Sequence, residues 1–187
     1  MADAVLSMVD TNGRINYRQL LDYINTYSLS YFLEAGRHPF LVGRDLYEGR
    51  LLSNLAPTQT MRFAMGQSIK DKEQSPKRNN ITHAIYMLRK KPYSREMPNV
   101  IAIGRSSEND IVIADYVISK NHAQIIIFHD MYFLMDVGST NGTRVNGQLI
   151  QTGIKVKLGM NNVLAFGRLI FVFMAPTDLY QGLKAQE

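Results

Sequence analysis

The chain has 187 residues, 45% of them hydrophobic and 20% charged, an ordinary globular balance that argues against disorder throughout. It contains no cysteine, which removes disulfides, thiolate metal sites and thiol nucleophiles from consideration. Of the net charge of +5, residues 1–61 contribute −1, residues 62–95 contribute +7 and residues 96–187 contribute −1, so all the excess sits in one polar stretch.

Met1 to Leu6 carries Asp3 and no basic cluster, unlike a secretory leader, which sets a cytoplasmic expectation. After a loop at Asp10 to Gly13, Asn16 with Gln19 three residues later makes a variant of the capping box. Leu20, Leu21, Ile24 and Tyr27 follow at helical spacing. This predicts a helix from about Tyr17 to Glu34, stopped by Gly36 and Pro39. Phe40 to Val42 and Leu51-Leu52 are short apolar runs compatible with strands or turns. The basic stretch, including Lys70 to Asn80 and Arg89-Lys90-Lys91, reads as a linker with its flanks.

From Ile81 the pattern changes to short β-branched and aromatic runs punctuated by Gly, Asn and Asp. The expected strands are Ala84–Leu88, Val100–Gly104, Asp110–Ile113, Ala123–Phe128, Tyr132–Asp136, Thr143–Val145, Gln148–Gln151, Lys155–Leu158, Asn162–Phe166 and Leu169–Met174. Asn146-Gly147 between two of them is a strong hairpin signal, and His129 to Met131 and Gly167-Arg168 are further turns. The apolar tract Val163 to Pro176 is broken by Arg168 and falls short of the ~20 residues of a spanning helix, so it is read as buried strand. The expected fold class is mainly β, a sandwich or barrel, preceded by a small, partly helical N-terminal region. The expected divisions are 1–75, an accessory region; 76–176, the β domain; and 177–187, a C-terminal tail.

An ordered set of polar residues lies in the connections between these strands. It runs Gly104-Arg105, Asn109-Asp110-Ile111, Ile118-Ser119-Lys120-Asn121-His122-Ala123, Asp136 to Thr143 with Gly138-Ser139-Thr140-Asn141-Gly142 inside it, and Val145-Asn146-Gly147. Each piece alone is weak, as the isolated Gly43-Arg44 illustrates, but in this order and spacing they are specific. Over roughly residues 80–176 the chain resembles the forkhead-associated (FHA) family, the phosphothreonine-binding β-sandwich. The resemblance implies an antiparallel, Greek-key-like sandwich of about 10–11 strands.

The chemistry is intelligible in its own terms. A phosphothreonine brings about −1.5 to −2 charges and three acceptor oxygens, so its receptor needs donors converging on a small volume. Arg105 offers a planar fork, Ser119 a hydroxyl, Lys120 a mobile cation, and Thr140 a turn position whose hydroxyl or N–H can face the site. The resemblance implies these phosphate-binding roles, and places Asn141 where the family bonds the peptide backbone. It makes His122 a structural residue that holds the phosphate loop. Gly104, Asn109, Asp110, Gly138, Ser139, Gly142 and Gly147 are read as shaping the loops, and Asp115 and Asp136 as structural carboxylates. The blander readings are a solvated strand-end charge for Arg105 and a hydroxyl turned onto its own loop for Ser119.

No nucleophile elbow, zinc-protease motif, phosphate loop of the nucleotide-hydrolase type or dinucleotide fingerprint is present, and His38, His83, His122 and His129 lack metal-ligand spacing. The expectation is a non-enzymatic adaptor without cofactor, metal or membrane span. Its partner would be a phosphothreonine-containing protein, acting downstream of a Ser/Thr kinase. The alternative partner is the chain itself, since Thr58 and Thr60 lie in the non-periodic Ala56 to Thr60 segment. The rivals are nucleic-acid or anionic-surface binding through residues 62–95, against which the sparse aromatics there count, and a constitutive scaffold.

Overall fold

The computed structural model describes residues 3–35, 38–44, 84–94 and 97–185. Leu51-Leu52, Thr58, Thr60, Lys70 to Asn80 and His83 lie outside the described residues.

The N-terminal layer begins with α1 (Asp3–Leu6) and α2 (Tyr17–Thr26). Asn16 caps α2 as its spacing predicts, its Oδ1 accepting from the Gln19 N–H at 3.2 Å. The helix does not run on to Glu34. Tyr27 is extended and ends it, and a separate α3 (Leu29–Ala35) follows. Ser28 supplies the local reason: its carbonyl accepts from Phe32 N–H at 3.0 Å and its hydroxyl pairs with Ser30 at 2.9 Å, restarting the helix in a new direction. The break turns Phe32 inward and leaves the Tyr27 and Tyr31 rings stacked at 4.8 Å.

Among the described residues eleven strands follow: β1 (Phe40–Gly43), β2 (Ile85–Met87), β3 (Val100–Gly104), β4 (Ile111–Val112), β5 (Ala123–Phe128), β6 (Met131–Asp136), β7 (Thr143–Val145), β8 (Gln148–Leu149), β9 (Val156–Leu158), β10 (Val163–Phe166) and β11 (Leu169–Met174). They form two sheets, ordered β2-β1-β11-β10-β7-β8 and β4-β3-β5-β6-β9. All pairings are antiparallel except β3 with β4. The ten strands expected between Ala84 and Met174 are all present, trimmed by a residue or two at some ends, with β6 starting one residue earlier at Met131. The Asn146-Gly147 turn has positive φ at both residues, 51° and 82°, as a two-residue hairpin of its hand requires.

The main core lies between the sheets, around Ile101, Ile103, Ile125, Leu134, Phe166, Phe171 and Phe173. A second core lies on the outer face of the six-stranded sheet. There Phe40, Val42, Ile85, Met87, Val172 and Met174 meet Leu20, Ile24 and Phe32 of the helical layer. Alternate residues of β1, β2 and β11 thus enter different cores, which is why these strands are apolar on both faces. Two pairings run across the expected divisions. β1, from the N-terminal region, sits between β2 and β11, and residues 176–184 form α4 (Pro176–Lys184), which buries Leu179 and Leu183 in the second core. Tyr180 Oη of α4 donates to the Tyr27 carbonyl at 2.8 Å.

Candidate functional site

Four connections meet at one end of the sandwich: β3–β4 (105–110), β4–β5 (113–122), β6–β7 (137–142) and the β10–β11 turn (167–168). Their mutual position is fixed by backbone bonds between loops. The Arg105 N–H donates to the Ser119 carbonyl at 2.9 Å, the Ser106 N–H to the Lys120 carbonyl at 3.2 Å, and the Gly167 N–H to the Gly142 carbonyl at 2.9 Å.

Arg105 leaves the end of β3 exposed, with Nε donating to the Ile118 carbonyl at 3.1 Å. That bond orients the guanidinium and leaves its outer edge toward solvent. Ser119 meets the β6–β7 turn directly: its Oγ accepts from the Thr140 N–H at 3.0 Å and lies 3.4 Å from Thr140 Oγ1. Asn141 Nδ2 donates to the Val117 carbonyl at 2.8 Å, which ties the same turn to the β4–β5 loop. Arg105, Ser119, Thr140 and Asn141 therefore share one rim. Lys120 stands in the same loop as Ser119, its side chain exposed.

The supporting residues Gly104, Asn109 and His122 are buried. Gly104 is required by close approach, since a Cβ there would lie 2.2 Å from the Lys120 carbonyl oxygen and 2.8 Å from Asn109 Nδ2. Asn109 Nδ2 braces two loops, donating to the carbonyls of Ser106 (2.9 Å) and Lys120 (2.7 Å). His122 is fully buried, and its Nδ1 accepts from the Ser119 N–H at 3.1 Å, an arrangement that needs the neutral ring. Burial pushes the pKa of His122 down, with the Gly142 backbone and the Asp136 charge opposing.

Asp136 organises the β6–β7 turn. One carboxylate oxygen accepts from the N–H groups of Gly138 (2.8 Å) and Ser139 (2.9 Å) and lies 3.3 Å from Thr152 Oγ1. The other accepts from Ser139 Oγ (2.5 Å) and Thr143 Oγ1 (2.6 Å). Burial alone would raise its pKa, but the bonds from Ser139, Thr143 and Gly138 outweigh it and hold the carboxyl down to about 2. Gly138 at φ 94° and Gly142 at φ 74° let the turn fold around this anion.

Sequence reasoning read Asp136 as structural without seeing that it anchors the turn carrying Thr140. Asp110, read from the sequence as a loop-shaping residue, is wholly buried and reaches beyond its own loop, accepting from Ala102 N–H (2.8 Å), Lys91 N–H (2.9 Å) and Lys90 Nζ (3.1 Å). The basic pair Lys90-Lys91 is thus spent inside the fold. The exposed Tyr116 and Arg168 and the half-buried Asp115 form a further cluster, with Arg168 Nη1 donating to Tyr116 Oη at 2.9 Å and Nη2 3.7 Å from Asp115. Among the described residues no group of three or more His, Asp or Glu is placed to hold a metal ion, and no helix is long and apolar enough to cross a membrane.

The family model of the FHA domain matches residues 101–167, which contain Arg105, Ser119, Lys120, Thr140 and Asn141 together with Asn109, His122 and Asp136. The oxoglutarate dehydrogenase inhibitor of Corynebacterium efficiens is 39% identical over 61 residues, 30% of this chain and 43% of that protein. The glycogen accumulation regulator GarA of Mycobacterium tuberculosis is 28% identical over 75 residues, 40% of this chain and 44% of that protein. The matches thus span less than half the length of these relatives. Among solved structures, the N-terminal FHA domain of Saccharomyces cerevisiae Rad53, in complex with a phosphothreonine peptide, is 24% identical with a TM-score of 0.43, over 52% of this chain and 88% of that one.

Proposed function

Taking residues 101–167 as the FHA domain that they match, we propose that this protein is a phosphorylation-dependent adaptor that binds phosphothreonine on a partner protein after a Ser/Thr kinase has acted. Arg105, Ser119, Lys120 and Thr140 hold the phosphate, and Asn141 holds the backbone of the bound peptide. The observation that carries the reading is the direct link between Ser119 Oγ and the Thr140 backbone N–H at 3.0 Å, with the Arg105 N–H on the Ser119 carbonyl. It gathers a guanidinium, an ammonium and two hydroxyls from three loops on one rim, the donor set a doubly charged ester requires.

The chemistry of the site is binding. The imidazole is buried and used as a loop brace, and the buried carboxylates of Asp110 and Asp136 are saturated with donors, so no base is poised beside a nucleophile. Gly104, Asn109, His122, Gly138, Ser139 and Gly142 support the loops. The net −1 of residues 96–187 makes the attraction local to the rim. The adaptor acts in the cytoplasm.

Isothermal titration with matched phosphothreonine, phosphoserine and unmodified peptides, drawn from a degenerate library with a fixed central threonine, tests the reading. A charge-assisted hydrogen bond contributes roughly 1.5–3 kcal/mol, so Arg105→Ala weakens phosphopeptide binding by about tenfold to a hundredfold. Equal affinity for phosphorylated and unmodified peptide would remove the proposal. Binding of single-stranded nucleic acid that falls steeply with salt and is indifferent to Arg105→Ala would replace it with the basic-segment reading.

A further inference from the structure

The β3–β4 loop that bears Arg105 is held from outside by the basic pair that precedes β3. Lys91 is the closest hold. Its Nζ donates to the carbonyl of Asn109 at 2.5 Å and of Ser107 at 3.3 Å, two successive bends of that loop. Its own backbone is pinned by the Asp110 carboxylate at 2.9 Å, and Lys90 Nζ completes the anchor on Asp110 (3.1 Å) and the Val100 carbonyl (2.6 Å). From Asn109 the chain of bonds continues inward: its Nδ2 reaches the Lys120 carbonyl at 2.7 Å, and the Ser106 N–H reaches the same oxygen at 3.2 Å. One ammonium thus braces, beside the bonds of the Asn109 N–H and Nδ2 to the Ser106 carbonyl, the residue that sets the spacing between the Arg105 loop and the Ser119-Lys120 loop.

We propose that Lys91, outside the segment that matches the family, is a positioning residue for phosphothreonine binding, acting through Asn109 to hold the two phosphate-facing loops at their working separation. The proposal rests on the phosphothreonine reading of the rim. Its physical basis is that a guanidinium and a hydroxyl on separate loops grip one phosphate only while their separation is fixed, and small misplacements of charged groups are costly. Losing the ammonium would leave the partly buried Asn109 carbonyl without its Lys91 donor and the exposed Ser107 carbonyl to water, freeing the loop to shift. The Lys91 side chain borders an open cavity of about 430 Å³, with Leu6, Met87, Tyr93 and Ser107 also on its walls, so a neutral chain of similar length is accommodated.

The test uses the full chain with Lys91→Met and Lys91→Arg, and one phosphothreonine peptide selected from the degenerate library on wild-type protein. Measured at a temperature below the unfolding transition recorded for each variant, Lys91→Met is expected to weaken phosphopeptide binding by about tenfold, with Lys91→Arg restoring most of the loss. In ligand-free protein the amide resonances of Ser106, Asn109 and Lys120 shift in Lys91→Met and return in Lys91→Arg. These shifts report the brace whatever the rim binds, so wild type that ignores phosphate while the shifts appear would sink the phosphothreonine reading and leave the brace standing. A Lys91→Met protein that melts lower but binds within twofold of wild type would overturn the positioning role. Should Lys91→Met fail to fold, Lys91→Gln carries the same comparison.

Discussion

Replacing Asp136 by asparagine separates the electrostatic contribution of the β6–β7 turn from its shape. The carboxylate of Asp136 is 2% exposed and meets five donors from Gly138, Ser139, Thr143 and Thr152. They hold its pKa at about 2 against an ordinary 3.8, although burial pushes the other way. A gap of that size corresponds to roughly 2 kcal/mol of folding stability. Because the folded-state pKa lies below the unfolded one, this stability is present above pH ~3.8 and is lost as pH falls through 3.8 toward 2. The asparagine keeps the volume, removes the charge, and sets an N–H₂ against groups that donate. Urea unfolding of both proteins at pH 7, 5, 4 and 3 is the assay. The wild type is expected to be about 2 kcal/mol more stable at pH 7 and 5, with the difference shrinking at pH 4 and 3. A difference that stays constant down to pH 3 would refute the argument that the charge, rather than packing, is what the turn uses. The same substitution is expected to weaken phosphothreonine binding, because Thr140 and Asn141 ride on this turn.

Gly104→Ala puts a methyl group against the Lys120 carbonyl and Asn109 Nδ2. It should cost more than about 2 kcal/mol in chemical denaturation and, in the fraction that folds, part the two loops and abolish phosphopeptide binding; near-wild-type stability would contradict the close approach. For His122, burial lowers the folded-state pKa below 6.5, so the unfolded chain takes up the proton first and stability falls as pH drops below ~6.5. Melting temperatures of wild type and His122→Asn between pH 8 and 5 should diverge at pH 7 and above and converge toward pH 5, and parallel curves would exclude the effect.

The β half was legible because its information is local. Val100–Gly104, Ala123–Phe128 and Leu169–Met174 alternate or saturate with apolar residues between turn formers, and Asn146-Gly147 fixes a hairpin register by its own backbone preference. The rim was legible for a related reason: Arg105 directly follows β3, Ser119 lies in the loop leading into β5, and Thr140 and Asn141 lie in the short β6–β7 turn, so the ordered motifs and strands placed correctly bring them together. What escaped was long-range or competitive. The α2 stripe predicted one helix, but Ser28 satisfies backbone groups locally and restarts the chain. Phe40 to Val42 were ambiguous because a strand buried on both faces has no alternation, and its partner Met174 lies far along the chain. Lys90-Lys91 looked like solvated linker because the buried carboxylate they serve, Asp110, is distant in sequence. Residues 177–184 looked like a tail because the stripe of Leu179 and Leu183 is short, and only the helical layer gives it a surface to cover.

The central claim is that the rim grips a phosphate on another polypeptide, and solution mapping addresses it most directly. Backbone and arginine side-chain resonances of the isotopically labelled chain are followed during titration with a library-selected phosphothreonine peptide and then with its unmodified counterpart. The account predicts saturable shifts at Arg105 Nε and at the amides of Ser119, Lys120, Thr140 and Asn141 with the phosphorylated peptide alone. Shifts that cluster on the helical layer or the far end of the sandwich, or that are the same for both peptides, would contradict it.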